Sequence, residues 1–383
     1  MSQNEYDVLI IGGGPGGSTA ATHLAKAGKR VLVLDHAKFP RVKVCAGWVT
    51  PGALRLLELK PEDYPHTLQA FSGGSVIVDG KYHFTEFGQT ASYGIIRNEF
   101  DYFLFQRAIE AGAEMRDGVR VKSVDRDESG AIVETVDGES FRGKLLIGAG
   151  GSGCPVSRKW GERQKNEDII LACEVEVKIG AEKLKQLTPH YGSTELFAEH
   201  DFYGYGWYVT KGDFVNIGVG RFKKATSNFN EDKKRFYEMI KSLGRIDGIE
   251  DQLPDFSGHS YKLYDETPRR LSGDRFMLIG DSGGFATRWA GEGIKPAIQT
   301  AIFAARVATE ALEKNEFGEA GTQAYTDLCR KMYGEQRMDG VARVLNLMPQ
   351  FVKSGVAGQI CKRRGLRKKL IFEAAFGFEP VNG

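Results

Sequence analysis

The chain of 383 residues has few cysteines, few prolines and almost no net charge, and each shortage excludes a class of protein. Its five cysteines are an odd number without a CxxC pair, which argues against a disulfide framework and a structural zinc site. Twelve prolines are too few for a collagen-like chain. With 52 basic and 50 acidic side chains, the chain lacks the net positive charge that drives nucleic-acid binding. We therefore expect a reduced, cytoplasmic protein without a nucleic-acid partner.

Long apolar runs and paired metal ligands are also absent from the sequence. The longest uncharged stretch, residues 8–25, has the length of a membrane span, but six of its eighteen residues are glycine or proline. The first residues, MSQNEYD, contain no basic segment followed by an apolar one, so we expect no signal peptide. The seven histidines are scattered, with no pair four residues apart, and we expect no metal site.

Glycine, in contrast, is abundant. The 48 glycines exceed by roughly 21 the number expected at a background frequency of about 7%. Fourteen of them lie in three short stretches, residues 12–17, 148–153 and 280–293. Since glycine lets the backbone approach a ligand closely, we expect these stretches to converge on one cofactor.

The first glycine stretch lies between a predicted strand at residues 6–11 and a helical pattern, and it has the spacing GxGxxG. Gly12 permits a tight turn, Gly14 lets a pyrophosphate approach the backbone, and Gly17 allows close packing of the helix on the strand. A second apolar strand ends in Asp35, which is placed to accept hydrogen bonds from a ribose and disfavours a 2′-phosphate. The pattern predicts a site for FAD or NAD made by Gly12, Gly14, Pro15, Gly16, Gly17 and Asp35.

The second glycine stretch, GAGGSG, also follows a predicted strand and raises the alternative of a separate nicotinamide site. We reject that alternative because Pro155 is predicted to interrupt the expected helix. In addition, Glu167 and Asp168 precede the next strand instead of ending it. The sequence therefore predicts a single dinucleotide fold whose returning segments complete the same site.

The rest of the chain combines antiparallel strands with long helices. Asp-Gly pairs at residues 79–80 and 137–138 predict β-hairpins. Alternating stretches in residues 169–220 predict antiparallel strands. Residues 144–149 and 275–279 are predicted as buried strands that return to the first domain. Helices are predicted at residues 18–27, 100–111, 230–243, 291–314 and 319–341.

These elements predict a mixed α/β fold: a Rossmann-like dinucleotide-binding domain, an inserted antiparallel-sheet substrate domain and a helical C-terminal region. The dinucleotide-binding domain is predicted at residues 1–70, 95–165 and 270–320. The substrate domain is predicted at residues 71–94 and 166–269, and the C-terminal region at residues 321–383.

Several segments resemble the geranylgeranyl reductase family of FAD-dependent oxidoreductases, in the group with the p-hydroxybenzoate hydroxylase-like fold. They are FPRVKVCAG (residues 39–47), IIRNEFD (95–101), GYGWYVTKGDFVNIGVG (204–220) and LIGDSGGFATRWAGEGI (278–294). The matched positions run from about residue 7 to residue 305, which is most of the chain. The resemblance implies that the dinucleotide is FAD.

The resemblance also implies further contacts to FAD. It places Arg97 near the ribityl chain or the phosphates, Val121 at the adenine and Asp281 at the ribityl chain. Gly291 and Gly293 precede a helix whose positive end favours a reduced, anionic flavin. The implied contacts are Arg41, Cys45, Ala46, Arg97, Val121, Gly280, Asp281, Gly291, Gly293 and Ile294.

Alternatives stay open for the residues that face the chemistry. Cys45 is either a small buried hydrophobic residue or a catalytic thiol that supplies a proton, with Arg41 and Lys43 close in sequence. Tyr205 and Trp207 lie on one strand face, either as core residues or as a wall of the substrate site. Trp289 is a further substrate candidate.

Three departures from the family pattern concern the substrate more than FAD. The usual Ala-Asp-Gly is replaced at residues 149–151 by Ala-Gly-Gly, which removes a carboxylate. The usual Phe-Pro-Lys is Val-Thr-Lys at residues 209–211, and the usual Pro-Leu-Thr is Arg-Trp-Ala at residues 288–290.

The sequence favours an FAD-dependent reductase that saturates C=C bonds of an isoprenoid by hydride transfer from flavin N5. One alternative is a monooxygenase or halogenase acting on a non-isoprenoid substrate, although residues 205–210 contain only one tryptophan of the halogenase motif WxWxIP. Another is a non-catalytic flavin-binding, membrane-associated protein. The electron donor, NAD(P)H or a ferredoxin-like protein, stays open.

The C-terminal tail combines apolar and basic segments. Residues 344–352 are apolar, and residues 362–369 read KRRGLRKK. Such a tail either contacts an anionic membrane surface on the cytoplasmic side or packs its apolar side on the body of the protein.

Overall fold

The computed structural model describes residues 5–162, 168–199, 201–264, 269–334 and 350–379. The strands are β1 (Glu5–Ile11), β2 (Val31–Leu34), β3 (Trp48–Val49), β4 (Leu68–Phe71), β5 (Gly73–Val78), β6 (Lys81–Glu86), β7 (Ser92–Ile95), β8 (Glu114–Arg116), β9 (Val121–Asp127), β10 (Gly130–Thr135), β11 (Ser140–Gly148), β12 (Ile169–Lys178), β13 (Thr194–Ala198), β14 (Gly204–Lys211), β15 (Phe214–Phe222), β16 (Ser257–Lys262), β17 (Ser272–Gly273) and β18 (Phe276–Leu278). The α-helices are α1 (Pro15–Lys26), α2 (Pro51–Leu56), α3 (Arg97–Glu110), α4 (Pro155–Trp160), α5 (Ala181–Leu187), α6 (Phe229–Ser242), α7 (Ile294–Lys314), α8 (Glu319–Tyr333), α9 (Gln350–Lys362) and α10 (Arg364–Leu366).

The chain divides into two compact units, each made of three separate segments. The first unit comprises residues 1–42, 98–167 and 261–335. The second unit comprises residues 43–97, 168–260 and 336–383.

The first unit is built on an eight-stranded sheet in the order β17-β18-β11-β1-β2-β8, with β10 pairing β11 and β9 pairing β10. The central strand β1 runs parallel to both β2 and β11. Val8 and Ile10 pack on the side of α1 and α7, while Leu9 and Ile11 pack on the side of α4. Because both faces of β1 are covered, its sequence is a continuous apolar run instead of an alternating one.

The second unit contains a seven-stranded sheet in the order β16-β12-β15-β14-β13-β5-β6 and a three-stranded sheet in the order β3-β7-β4. One face of the larger sheet is apolar: Val175 and Ile217 pack with Phe236 and Ile240 of α6. On the opposite face, alternate positions of β12, β14 and β15 carry polar and aromatic side chains, which form part of the site described below.

The C-terminal segment packs on the second unit. After α10, a π-helical segment, Arg367–Ala375, continues the chain. Arg367 is buried and donates hydrogen bonds to Thr85 Oγ1 at 2.8 Å and to Phe84 O at 2.8 Å. Of the predicted apolar stretch 344–352, residues 344–349 lie outside the described residues. No helix within the described ranges is both long and apolar enough to cross a membrane.

The two units differ from the predicted domains at three places. Residues 43–70 lie in the second unit, because β3 and β4 both pair with β7. Residues 261–269 belong to the first unit, where Leu263 bridges Ala286. Residues 321–334 also belong to the first unit, because Tyr325 of α8 donates a buried hydrogen bond to Leu278 O.

Two helices begin at prolines where the sequence predicts otherwise. Pro155, predicted to interrupt a helix, is the first residue of the short helix α4. Pro15 likewise begins α1, three residues before the predicted start. In both cases the missing proline N–H is one that the first turn of a helix leaves unbonded anyway. The predicted helix at residues 319–341 is observed as Glu319–Tyr333, and residues 335–341 lie outside the described residues.

Candidate functional site

The turn between β1 and α1 requires glycine at two positions. Gly12 has φ +108°, and a Cβ there would lie 2.4 Å from Ala149 O. A Cβ on Gly17 would lie 1.7 Å from Gly12 O, so α1 packs on the turn only if residue 17 has no side chain. At Gly14, the residue before α1, an added Cβ would meet only Arg41 Nη2, at 3.2 Å.

Arg41 lies beside this turn with one end of its guanidinium paired and the other unpaired. Nη2 forms an ion pair with Asp101 Oδ2 at 3.1 Å, and the guanidinium stacks over the Phe39 ring at 4.8 Å from its centroid. Nη1 is buried and has no hydrogen-bond partner among the described residues. The amides at the start of α1 receive no side-chain cap. Unsatisfied donors at a helix N-terminus fit a pyrophosphate.

Asp35 follows β2 at the same edge of the sheet and is buried. Its Oδ2 accepts from Gly13 N at 2.7 Å, and its Oδ1 accepts from Ala37 N at 2.8 Å. These bonds fix the carboxylate next to the glycine turn, and each oxygen keeps a second lone pair for a ribose hydroxyl.

The other two glycine stretches meet the first at the carboxyl ends of the parallel strands. Gly148 lies opposite Ile11 in the β1–β11 register, and its carbonyl accepts from Ile279 N at 3.0 Å. Ser282 Oγ donates to Gly151 O at 3.2 Å, while Ser152 Oγ is buried with no partner in the described part of the chain. The edge beyond the carboxyl ends of parallel strands is where doubly wound folds bind their ligands.

The third stretch leads into α7. Gly293 is the residue before the helix, which begins at Ile294 without a side-chain cap, and a Cβ on Gly293 would lie 3.2 Å from Asp281 Oδ1. Gly291 has φ +66°, and a Cβ there would lie 2.2 Å from Tyr261 Oη. The Trp289 Nε1 is buried and unbonded within the described structure. The carboxylate of Asp281 therefore lies at the start of a long helix, as a ribityl-binding acid would require.

Of the remaining predicted cofactor residues, Val121 begins β9 and packs on the apolar core of the first unit. Gly280 has φ +55° and packs against Ala297 of α7. The other predicted residues, Cys45, Ala46, Arg97, Tyr205 and Trp207, belong to the second unit.

In the second unit, the backbone at Cys45 is held by polar side chains from adjacent strands. Glu174 Oε1 of β12 accepts from Cys45 N at 2.6 Å, and Asn216 Nδ2 of β15 donates to Cys45 O at 3.3 Å. Lys211 Nζ of β14 is fully buried and donates to Ala46 O at 3.1 Å and to Ile95 O at 3.0 Å. This cluster, which we call the Cys45 cradle, consists of Glu174, Glu176, Lys211 and Asn216.

The cradle is internally connected and borders aromatic rings. Lys211 Nζ is also paired with Glu176 Oε2, to which Asn216 Nδ2 donates at 3.2 Å. Asn216 Oδ1 in turn accepts from Trp207 Nε1 at 2.7 Å. The Tyr205 and Trp207 ring centroids are 6.1 Å apart. Trp207 is thus fixed by a hydrogen bond and is more than a filler of the core.

Two pKa shifts mark this part of the second unit. Burial raises the pKa of Glu174 to about 7, even though the Cys45 amide and Lys211 favour its ionised form. Burial and the positive charges of Lys43 and Arg97 lower the pKa of His259 to about 4. His259 is therefore neutral at pH 7, and its Nε2 lies 2.8 Å from Lys43 Nζ. Burial and the Cys45 thiol raise the pKa of Tyr205 above its usual value.

Glu174, Glu176, Lys211, Asn216 and Asp101 were not predicted as site residues from the sequence. The signal for the two glutamates was their alternation in the stretch ILACEVEV, which places both on one strand face. Charged residues on alternate positions of a strand are usually solvated, so this pattern alone does not indicate a buried cluster. Among the described residues, no group of three or more His, Cys, Asp or Glu could hold a metal ion.

The sequence matches a family model described as an FAD binding domain over residues 5–335. A relative from Methanosphaera stadtmanae, digeranylgeranylglycerophospholipid reductase 3, is 26% identical over 88% of this chain and 85% of its own. Menaquinone reductase of Mycobacterium tuberculosis is 29% identical over 90% of this chain and 84% of its own.

Solved structures share the fold. A geranylgeranyl bacteriochlorophyll reductase-like protein from Thermoplasma acidophilum superposes with a TM-score of 0.81 at 23% identity, over 97% of this chain and 96% of the other. The halogenase PltM shares the fold as well, with a TM-score of 0.69 at 19% identity, over 86% of this chain and 74% of the other. The matches confirm the predicted mixed α/β fold with a Rossmann-like domain and the predicted cofactor, FAD.

Proposed function

The chain belongs to the FAD binding domain family and is an FAD-dependent oxidoreductase, and from that premise we propose that it reduces C=C bonds in the isoprenoid chain of a lipid. Bound FAD, once reduced, supplies a hydride. The protein must then provide a proton for the second carbon and hold the alkene away from water.

Residues of the first unit would hold the cofactor. The uncapped start of α1 and the unpaired Nη1 of Arg41 offer donors to a pyrophosphate, and Asp35 offers acceptors to a ribose. Asp281 would accept from ribityl hydroxyls, beside the positive end of α7. Ser152 Oγ, buried and unbonded within the described residues, offers one more hydroxyl to the ligand.

The observation that carries the proposal is the environment of Cys45 in the second unit. Its thiol is partly exposed, its backbone is held from three strands, and aromatic rings border it. The Tyr205 ring contacts both Trp207, at 6.1 Å between centroids, and Phe376, at 5.5 Å. A proton source among aromatic walls suits the addition of a proton to an apolar chain. The name of the archaeal relative supports an isoprenoid lipid as that chain.

The test is a single-turnover reduction without oxygen. The flavin is photoreduced, a digeranylgeranyl glycerophospholipid or menaquinone is added, and flavin absorbance and product mass are followed. We expect reoxidation of the flavin and the gain of two hydrogen atoms per reduced double bond. A Cys45→Ser variant should photoreduce normally and form product more slowly, since a hydroxyl is a weaker acid than a thiol. A flavin that stays reduced, with no saturated product, would refute the proposal.

A monooxygenase or halogenase is the alternative that the shared fold with PltM keeps in view. Residues 205–210 read YGWYVT, with one tryptophan where the halogenase motif has two. The same reduced protein, mixed with oxygen, chloride and an aromatic substrate, distinguishes the two functions. Hydroxylated or chlorinated product would favour the alternative, and peroxide release without such product would favour the reductase.

The electron donor and membrane contact belong to the same proposal. NAD(P)H or a ferredoxin-like protein would reduce the flavin, and anaerobic titration with each, followed by bleaching of the flavin absorbance, identifies the donor. Arg363, Arg364 and Lys369 are exposed, and Leu366 between them is 39% exposed, which suits contact with an anionic lipid surface. Co-sedimentation should occur with phosphatidylglycerol vesicles and not with phosphatidylcholine vesicles, and equal binding to both would contradict the contact.

A further inference from the structure

A buried carboxyl with one free oxygen lies against the Cys45 backbone. Glu174 is 5% exposed, and its Oε1 accepts from Cys45 N at 2.6 Å. Its Oε2 is buried and has no hydrogen-bond partner among the residues that the structure describes. An ionised oxygen without a donor is costly to bury, whereas a protonated Oε2 becomes an O–H donor that can reach water or a neighbouring acceptor.

The neighbours of Glu174 come from three directions. On its own strand Glu176 adds negative charge, and Lys211 on β14 adds positive charge. Cys173, the preceding residue, is buried, with a raised pKa of about 11, so its thiol stays protonated at neutral pH. Cys45 contributes a backbone N–H and a partly exposed thiol from the packed segment. With Glu174 at a pKa of about 7, this set lets one proton leave or return near neutral pH.

The geometry of the strands explains why this carboxyl lies next to the thiol. Glu174 lies opposite Gly218 in the β12–β15 register, and Gly218 lies opposite Trp207 in the β14–β15 register. A Cβ on Gly218 would come within 2.3 Å of Trp207 Cζ2, so the missing side chain makes room for the indole beside Glu174. The large ring covers the carboxyl, which keeps it dry.

We propose that Glu174 is a positioning residue that controls the protonation of the Cys45 thiol. In the reduction, the Sγ–H bond of Cys45 breaks as its proton forms a C–H bond on the substrate, which leaves a thiolate. The protonated Glu174 carboxyl then gives its proton to the thiolate, and the resulting carboxylate regains a proton from water. Only the destination of the first proton rests on the proposed function.

The test is alkylation of Cys45 by iodoacetamide in the full-length, FAD-loaded protein between pH 6 and pH 8.5. Cys45 is partly exposed, whereas Cys154, Cys173, Cys329 and Cys361 are buried, so limited reagent selects Cys45. Mass spectrometry of the digested protein verifies the modified residue. No substrate is present, so the failure of lipid reduction would leave this result unaffected.

We compare the wild type with Glu174→Gln, whose amide oxygen still accepts from Cys45 N. Above pH 7 the wild-type carboxylate is ionised and disfavours a nearby thiolate, which is the form that iodoacetamide attacks. The variant should therefore be alkylated about 3- to 10-fold faster at pH 8.5, which corresponds to about half to one pKa unit of electrostatic effect. At pH 6, where Glu174 is mostly protonated, the two rates should agree.

Glu176→Gln is the matched control, because it removes a charge from the same strand face without touching the Cys45 amide. Its alkylation rate should change less than that of Glu174→Gln. Equal effects of the two variants, or a ratio independent of pH, would overturn the proposal. If Glu174→Gln melts far below the wild type or fails to bind FAD, the wild-type profile decides: an added inflection near pH 7 supports the proposal, and a single thiol titration overturns it.

Discussion

At the scale of single residues, Arg41 shows how the structure prepares a contact that the protein alone does not complete. Its Nη2 is paired with Asp101, which is fully buried, and its Nη1 is buried without a partner in the described structure. A buried donor left unsatisfied costs about 1–3 kcal/mol, and a phosphate oxygen would remove that cost. The position beside Gly14 makes a pyrophosphate the fitting acceptor.

Replacing Arg41 by Met should weaken FAD binding about 10- to 100-fold, since a charge-assisted hydrogen bond contributes about 1.5–3 kcal/mol. The measurement is quenching of flavin fluorescence as FAD is titrated into the apoprotein. Because Arg41→Met leaves a buried Asp101 unpaired, the double variant Arg41→Met/Asp101→Asn is measured beside it.

Arg306 supplies the control, since its pairing with Glu310 lies on the exposed surface of α7. Arg306→Met should bind FAD like the wild type. An unchanged dissociation constant in a folded Arg41→Met variant would show that Arg41 does not contact the cofactor.

At the scale of elements, strands β12, β14 and β15 form a platform with one apolar and one polar face. Lys211, at the end of β14, is fully buried and joins Glu176 to the carbonyls of Ala46 and Ile95. Gly47 has φ +64°, and a Cβ there would lie 2.6 Å from Lys211 Nζ and 2.2 Å from Ile95 O. The lysine thus fastens the Cys45 segment to the sheet at a place where only glycine leaves room.

Lys211→Met should lower the free energy of unfolding by about 3–5 kcal/mol, because it leaves Glu176 without its charged partner. Urea denaturation monitored by far-UV circular dichroism measures this loss. Adding Glu176→Gln removes the unpaired charge, so the double variant should be more stable than Lys211→Met alone. A double variant whose loss equals the sum of the two single losses would show that the two side chains do not interact.

At the scale of the whole molecule, the sequence predicted what depends on local pattern and missed what depends on distant pairing. β1 and β2 lie close to their predicted bounds, since apolar period and turn glycines are local signals. The Cys45 cradle was missed because Glu174 meets Cys45 across 129 residues of chain. Residues 43–70 were placed in the wrong unit for a related reason: β3 has two residues, too few to show a period.

The convergence of the glycine stretches is the long-range feature that the sequence did predict. It could be predicted because each stretch follows a buried strand, and the carboxyl ends of parallel strands share one edge. The structure places Gly148 beside Ile11 and bonds Ile279 N to Gly148 O at 3.0 Å. The nature of each stretch then follows from sterics, as Gly12 and Gly17 illustrate.

This convergence predicts how the molecule responds to FAD. Hydrogen–deuterium exchange of the apoprotein and the FAD-loaded protein should show slower exchange in residues 12–17, 148–153 and 280–293 together, because one ligand would order all three backbone stretches. The exposed turn at residues 128–129, in the same unit, serves as the internal control and should exchange at the same rate in both states. Protection confined to residues 12–17 would mean that the later stretches are structural turns, and that the glycines there serve packing instead of the cofactor.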